Sequence, residues 1–304
     1  NNLRSWREKS DWVHKLAPEI KRIEAVEAPD FGDSLEVWVP KLSHYRTWRD
    51  WYEKARQRGA ELWFYTCCHP CGRYPNRFID YALIKTRILH WLNWRYDLTG
   101  YLHWGLNWWN ADPFASATSG NLPPGDAWIV YPGPEGPLDS IRWEALRDGI
   151  EDYEYLWLLT ETARQVKEKL GEAAKDFEPR VLADQICALA VRETLDYVRD
   201  PAALRALRRK VAEEIVWLQS EPSALVWTAP PTDRTIAYGP ATPVVFVAAE
   251  RGASVKIGGS NVELDERGFG ARHLFFGPGQ HDVPVEIARG EASKTKVLRF
   301  TVAY

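Results

Sequence analysis

Methionine is absent from all 304 residues. A translated chain begins with one, so Asn1 reads as the start of a processed or partial chain. The first residues agree: Leu3, Trp6, Val13 and Leu16 approximate one face of a helix already under way, with no capping residue ahead of it. Cysteine is scarce, four in all, which excludes a disulfide scaffold. Three of the four crowd with a histidine into Cys67, Cys68, His69 and Cys71. No second cluster completes a tetrahedral site, so a reduced, partly buried loop is expected and no metal. No apolar run approaches the roughly 20 residues of a membrane span. The formal net charge of -3 gives no reason to expect nucleic acid or an anionic membrane as a partner. No G-x-G-x-x-G or phosphate loop follows any candidate strand, and no cofactor is expected.

Indoles, by contrast, abound. Sixteen Trp and 13 Tyr are a heavy aromatic load of the kind common in carbohydrate-active proteins. The densest stretch is Gly100 to Asn110, Gly-Tyr-Leu-His-Trp-Gly-Leu-Asn-Trp-Trp-Asn. It opens as an apolar run of strand length, the pattern of a buried parallel strand. It ends by carrying two indoles and two amides into a Gly/Pro-rich loop. Flat apolar faces beside carboxamides suit a sugar, whose C–H face stacks while its hydroxyls take hydrogen bonds. The competing reading makes these tryptophans core.

Taken in order, residues 3–16 are helical, Ile20–Val26 and Leu35–Val39 are short strands, and Pro40 stops the second. A helix spans Tyr45–Arg58 and Gly59 ends it. Leu62–Thr66 is a third strand, Cys67–Arg77 a loop, and Phe78–Tyr96 a long helix leading to the Gly100 strand. Alternating strands and helices predict a parallel sheet with right-handed crossovers. The fold class is therefore α/β, the C-terminal part of a TIM-type (β/α)8 barrel, with an open doubly wound sheet as the alternative. Within the loop 111–138, Trp128–Tyr131 has the character of a short strand. A strong helix follows, capped by Asp139 or Ser140, and 161–219 continue as charged helices broken near Pro179 and Pro201. After Pro222 short β-branched runs separated by Gly, Pro and Asn predict a small all-β module of immunoglobulin-like size. The expected domains are 1–220 and 223–304, joined by a Pro-rich linker within Ala229–Pro243.

The chemistry of a barrel lies at the C-terminal ends of its strands. Those ends nominate Trp38, Tyr65, His69, Trp104, Asn107, Trp108 and Trp109 as substrate-binding residues. Carboxylates are few there: Glu27, Asp30 and Asp112 are the candidates, and no context marks any of them as one of the two carboxyls that a conventional glycosidase needs. No catalytic residue is assigned within the chain.

Four segments carry a resemblance: Glu61-Leu-Trp-Phe-Tyr-Thr-Cys67, Tyr74-Pro-Asn-Arg-Phe-Ile-Asp80, Gly100-Tyr-Leu-His-Trp-Gly-Leu-Asn-Trp-Trp109 and Arg147-Asp-Gly-Ile-Glu-Asp-Tyr-Glu-Tyr-Leu156. In order and spacing they resemble glycoside hydrolase family 123 over about residues 1–220. The resemblance implies a β/α barrel and an exo-acting β-N-acetylgalactosaminidase. It implies a substrate-assisted mechanism, in which the sugar's own 2-acetamido oxygen attacks the anomeric carbon. An adjacent Asp-Glu pair orients the acetamide and supplies the general acid. Family members carry that pair just before a helix like the one at residues 3–16, which puts it upstream of Asn1. Asp265-Glu266 sits in a turn of the β module and does not replace it. Half a barrel implies a partner, either the missing N-terminal half or a second copy of the chain. Arg147 and Glu151, one helical turn apart, are read as a structural ion pair. The remaining alternatives are a non-catalytic carbohydrate-binding protein and a structural module whose Trp-rich core only mimics a sugar site.

Overall fold

The computed structural model describes residues 2–27, 31–237 and 240–303. Asp30 and residues 238–239 of the expected linker lie outside them. The chain divides into two compact units, one of residues 1–153 and 191–201, the other of 154–190 and 202–304. No helix among the described residues is long and apolar enough to cross a membrane.

The first unit is built on four strands, β1 (Ile23–Glu24), β2 (Val37–Trp38), β3 (Glu61–Tyr65) and β4 (Gly100–Leu102), ordered β1-β2-β3-β4 and parallel throughout. Helix α1 (Asn2–Leu16) precedes β1, helices α2 (Leu42–Thr47) and α3 (Arg49–Gln57) lie between β2 and β3, and α4 (Ile84–Arg87) and α5 (Leu89–Tyr96) between β3 and β4. Sequential parallel neighbours with helices between are the signature of repeated βα units. β3 buries Leu62 and Phe64 on one side, with Trp63 and Tyr65 half-buried on the other, the period-two pattern of a strand. Trp38, Trp91, Tyr45, Tyr52 and Leu42 fill the core.

Several elements differ from expectation. β1 and β2 keep two ladder residues each. The helix expected from Tyr45 starts at Leu42 and breaks at Trp48. The helix expected from Phe78 begins only at Ile84, because the preceding chain is tied into a loop. There the fully buried Asn76 donates from Nδ2 to the Cys67 and Pro70 carbonyls at 2.8 and 3.2 Å, and its Oδ1 accepts from Arg77 N at 2.8 Å. Asn93 plays the same part before β4, donating to the carbonyls of Leu98 and Gly100.

Beyond β4 comes a long loop, then the hairpin β5 (Val130–Gly133) and β6 (Gly136–Asp139). The expected strand at Trp128–Tyr131 is displaced by two residues. Helix α6 (Ile141–Leu170) starts at Ser140, whose Oγ accepts from Trp143 N at 3.1 Å, so Ser140 rather than Asp139 is the cap. A second hairpin, β7 (Val191–Glu193) and β8 (Asp196–Tyr197), replaces part of what reads as helix in 161–219. It belongs to the first unit, where Tyr197 Oη donates to the Arg73 carbonyl and Arg95 Nε to that of Val191.

Among its described residues the second unit holds the end of α6 with α7 (Val181–Ala190), α8 (Pro201–Gln219) and eight strands. These are β9 (Ala224–Ala229), β10 (Thr235–Ile236), β11 (Val244–Ala249), β12 (Ser254–Ile257), β13 (Ser260–Val262), β14 (Phe269–His273), β15 (Gly279–Arg289) and β16 (Ala292–Val302). They form a five-stranded sheet, β10-β16-β15-β12-β13, and a three-stranded sheet, β14-β11-β9. Val226, Val245 and Val247 of one sheet share a core with Ile257, Val285, Ile287 and Phe300 of the other. The boundary expected at 220–223 lies inside this unit, because α8 is fastened to β16. Lys294 Nζ donates to the Trp217 and Ser220 carbonyls at 3.0 Å each, and Lys296 pairs with Glu214 at 2.6 Å. A cation on the last carbonyls of a helix meets the negative end of its dipole.

Candidate functional site

At the exits of β3 and β4 the structure builds a polar core beneath two open indoles. Trp104 and Trp108 are 40% and 66% exposed, with ring centroids 6.4 Å apart at 59°. Solvent reaches both rings, so neither is core. Trp104 is held from below: its Nε1 donates to Asp126 Oδ2 at 3.0 Å, and Asp126 is fully buried.

Around that carboxylate stand His103, Arg77 and Arg142. His103 Nδ1 accepts from Arg77 Nη2 at 2.6 Å and from Gly105 N at 3.1 Å. With Nδ1 spoken for as an acceptor, the ring proton is on Nε2, 3.3 Å from Asp126 Oδ1 but off the line of a hydrogen bond. Burial pushes the His103 pKa down to about 4, against the opposing effect of Asp126, so the imidazole is neutral at pH 7. Burial also lowers Arg77, to about 10, and it remains a cation. Arg142 donates to the carbonyls of Arg77, Gly125 and Trp128, at 2.7, 2.7 and 2.8 Å, which closes the loop onto the strand exit.

The two sides of that loop are zipped together. Trp108 N donates to Ala127 O and Ile129 N to Leu106 O, and Asn107 bridges Trp128. Gly105 permits the approach, since a Cβ there would lie 2.6 Å from the Ala127 carbonyl oxygen.

The sequence-nominated residues divide. Trp108 stands open beside Trp104. Trp109, 37% exposed, donates from Nε1 to Val130 O at 2.8 Å and so is anchored to β5. Asn107 is exposed. Tyr65 is half-buried at the end of β3, its ring 6.4 Å from that of His103, and burial raises its phenol above the usual tyrosine range. His69 is exposed on the β3 exit loop, its Nδ1 3.9 Å from Cys71 Sγ. Trp38 is a correction: it is 1% exposed and donates from Nε1 to Leu35 O, so it is a core residue with no face for a ligand.

The carboxylates are engaged. Glu27 pairs with Lys41, which holds it below the usual glutamate range. Asp112 accepts from Phe114 N and Ala115 N and shapes its own turn. Among the described residues no group of three or more His, Cys, Asp or Glu is placed to hold a metal ion. His103, Arg77, Arg142 and Asp126 escaped the sequence reading as site residues. The first two lie inside the family-like segments, whereas Asp126 sits in a Gly/Pro-rich loop with no pattern to mark it.

The Arg147–Leu156 segment has a structural role. Asp152 takes the Arg87 guanidinium, and Arg147 faces Glu144 and Glu151 on the exposed side of α6 at 2.5 and 3.8 Å.

Comparison with known proteins gives the family. Residues 1–159 match the family described as glycoside hydrolase 123, catalytic domain, which is more than half of the chain. The chain belongs to glycoside hydrolase family 123. Among solved structures it is similar to a family 123 glycoside hydrolase from Clostridium perfringens, described for glycolipid glycan hydrolysis, at 20% identity and a TM-score of 0.41 over 63% of this chain and 33% of that one. It is similar also to an FMN-binding β-glucuronidase from Facaelibacterium prausnitzii, at 8% identity and a TM-score of 0.28 over 98% of this chain and 38% of that one. A third is an endo-β-1,4-mannanase from Thermotoga petrophila, at 11% identity and a TM-score of 0.24 over 99% of this chain and 61% of that one. The chain thus spans about a third of the length of the family 123 structure it matches. No curated protein matches it.

Proposed function

We propose that this chain is part of an exo-acting glycoside hydrolase for terminal sugars bearing a 2-acetamido group, of the β-N-acetylgalactosaminidase type, and that it contributes the sugar-binding face. The observation that carries the reading is the Trp104–Trp108 pair, two open indoles at the exit of a parallel strand in a chain of this family. An indole face receives the C–H face of a pyranose. In this reading Tyr65, His69 and Asn107 supply polar contacts to the bound ring and Trp109 adds apolar surface beside it. The four parallel strands are read as part of a β/α barrel, completed by further sequence of the whole protein or by a second copy.

The acid comes from elsewhere in this reading. A general acid must carry its proton at working pH and reach the glycosidic oxygen. Glu27 is held ionised by Lys41, Asp112 is committed to its turn, and Asp126 lies buried under Trp104. We follow the family resemblance in assigning the Asp-Glu pair to sequence upstream of Asn1. The Asp would orient the acetamide, whose oxygen attacks the anomeric carbon. The Glu would protonate the leaving oxygen, and water would then open the cyclic intermediate with retention.

Hydrolysis of an aryl N-acetyl-β-D-galactosaminide tests this. Chain 1–304 alone is expected to bind the glycoside without turning it over at any pH. A longer chain carrying the upstream pair is expected to hydrolyse it, and to stop when that Glu becomes Gln. Turnover by 1–304 alone would move the chemistry to its own carboxylates. Binding that persists with no turnover in the longer chain would leave the alternative, a non-catalytic carbohydrate-binding protein.

A further inference from the structure

The polar core under Trp104 is larger than a buried indole needs. A tryptophan Nε1–H at a surface finds water or a carbonyl, as Trp109 does with Val130 O. Trp104 instead donates to a carboxylate with no solvent access, and an ionised group in such a place is costly unless its surroundings compensate it. The Arg77 charge acts on Asp126 and favours it, and the His103 ring faces it from 3.3 Å. Arg77 is 3.4 Å from the Asp126 carbonyl oxygen and, through His103 Nδ1, fixes the tautomer that turns an N–H toward Asp126. Arg142 holds the carbonyls of Gly125 and Trp128 on either side of Asp126. The His103 ring lies nearly parallel to the Trp104 ring, at 20° and 6.5 Å. Two of these contacts reach the Trp104 indole directly, the Asp126 hydrogen bond and the His103 ring, and the others fix the loop and the histidine that carry them.

We propose that Asp126 is a positioning residue. Its carboxylate, backed by His103, Arg77 and Arg142, sets the orientation of the Trp104 indole and so the angle of the Trp104–Trp108 face presented to a sugar ring. This rests on the sugar-binding reading above and adds to it the group that fixes the geometry of the face. Stacking on a pyranose depends on ring orientation as well as area, and a side chain with two free torsions would lose conformational entropy on binding that a pinned one has already lost. Asp126 therefore acts through Trp104, without touching the ligand.

The experiment uses the full 304-residue chain, with methyl N-acetyl-β-D-galactosaminide as the probe. The Trp104 indole N–H signal is assigned in a proton–nitrogen spectrum by its loss in Trp104→Phe. In Asp126→Leu, which keeps the branched outline at a larger volume and has no acceptor, that signal is expected to move upfield and the probe to bind roughly fivefold more weakly, a coupling of ordinary size for groups in contact. Asp126→Asn keeps an acceptor for Nε1, so it is expected to restore part of both effects; it is also the variant to read if the Leu form does not fold. In the Trp104→Phe background, which has no N–H to hold, Asp126→Leu is expected to cost no further affinity. An unmoved signal, or losses that add in the double variant, would overturn the positioning role while leaving sugar binding intact. A native chain that does not bind the probe would overturn the sugar-face reading, and the indole signal would still decide whether Asp126 holds Trp104.

Discussion

Asp152 takes three hydrogen bonds at once, from Arg87 Nε at 2.7 Å, Arg87 Nη2 at 2.8 Å and Trp91 Nε1 at 2.9 Å. It is a fork-to-fork pair with a buried carboxylate, and it joins α6 to the α4–α5 stretch. Because the Arg87 side chain is mostly buried too, removing the acid strands a cation. Asp152→Ala is expected to cost about 3–5 kcal/mol, the usual penalty for breaking a buried pair from one side. Urea titration measures it as a lower midpoint at unchanged slope. A loss below about 1 kcal/mol would mean that water or Asp148, 3.1 Å from Arg87 Nη1, takes over the charge.

Gly149 lies on the same helix face. Helix propensity alone favours Ala over Gly by about 1 kcal/mol. A Cβ here would come within 2.4 Å of the Arg87 carbonyl oxygen, which is backbone and cannot swing away. Overpacking of that kind costs about 1–3 kcal/mol, so the clash sets the sign. Gly149→Ala is expected to lower the melting temperature, and a rise would show that α6 does not approach so closely.

These two residues show what the sequence disclosed and what it hid. The Arg-Asp-Gly-Ile-Glu-Asp run was legible as family-like, and the Arg147–Glu151 spacing as an ion pair, because helical periodicity is local. That Asp152 serves Arg87 was not legible, since the partners lie 65 residues apart. The alternation of strands and helices showed through hydrophobic runs, and the parallel order follows from it. The shortness of β1 and β2 did not, because apolar residues flanking a ladder look the same as those within it. Trp38 failed as a site residue for a related reason: position at a strand end does not say which way an indole turns, and this one turns inward. The helices of 161–219 were grouped with the βα sheet, because nothing local to Lys294 and Lys296 shows that these two residues hold α8.

Trp108 and Trp109 are adjacent, and their substitution should separate binding from stability. Trp108 stands open, whereas Trp109 is anchored to Val130 O. Trp108→Ala is expected to weaken binding of an N-acetylhexosaminide about tenfold, near 1.4 kcal/mol, with an unchanged melting temperature. Trp109→Ala is expected to lower the melting temperature as well. Equal thermal losses with unchanged affinity in both would make the pair structural.

Stability should respond to pH in two windows, one for each unit. In the first unit burial lowers His90 and His103 to about 4, from an ordinary 6.5. Between those values the unfolded chain binds more protons than the folded one, so stability rises with pH there. It is fully present above 6.5 and is lost as pH falls toward 4. His103→Gln, a neutral side chain of similar reach, is expected to flatten part of that acid slope even if it lowers stability at pH 7. In the second unit burial lowers Lys294 from 10.5 to about 8. The sign is the same but the window is alkaline: below pH 8 the ammonium is buried charged, and from 8 toward 10 the folded state sheds a proton that the unfolded state keeps. Stability contributed by this group therefore increases across that interval. Lys294→Met removes the proton and with it the increase, so the difference in urea midpoint between native chain and variant is expected to change steadily from pH 8 to 10. A constant difference over that interval would mean that Lys294, on its two helix-terminal carbonyls and 3.9 Å from the Trp217 ring centroid, keeps its charge throughout.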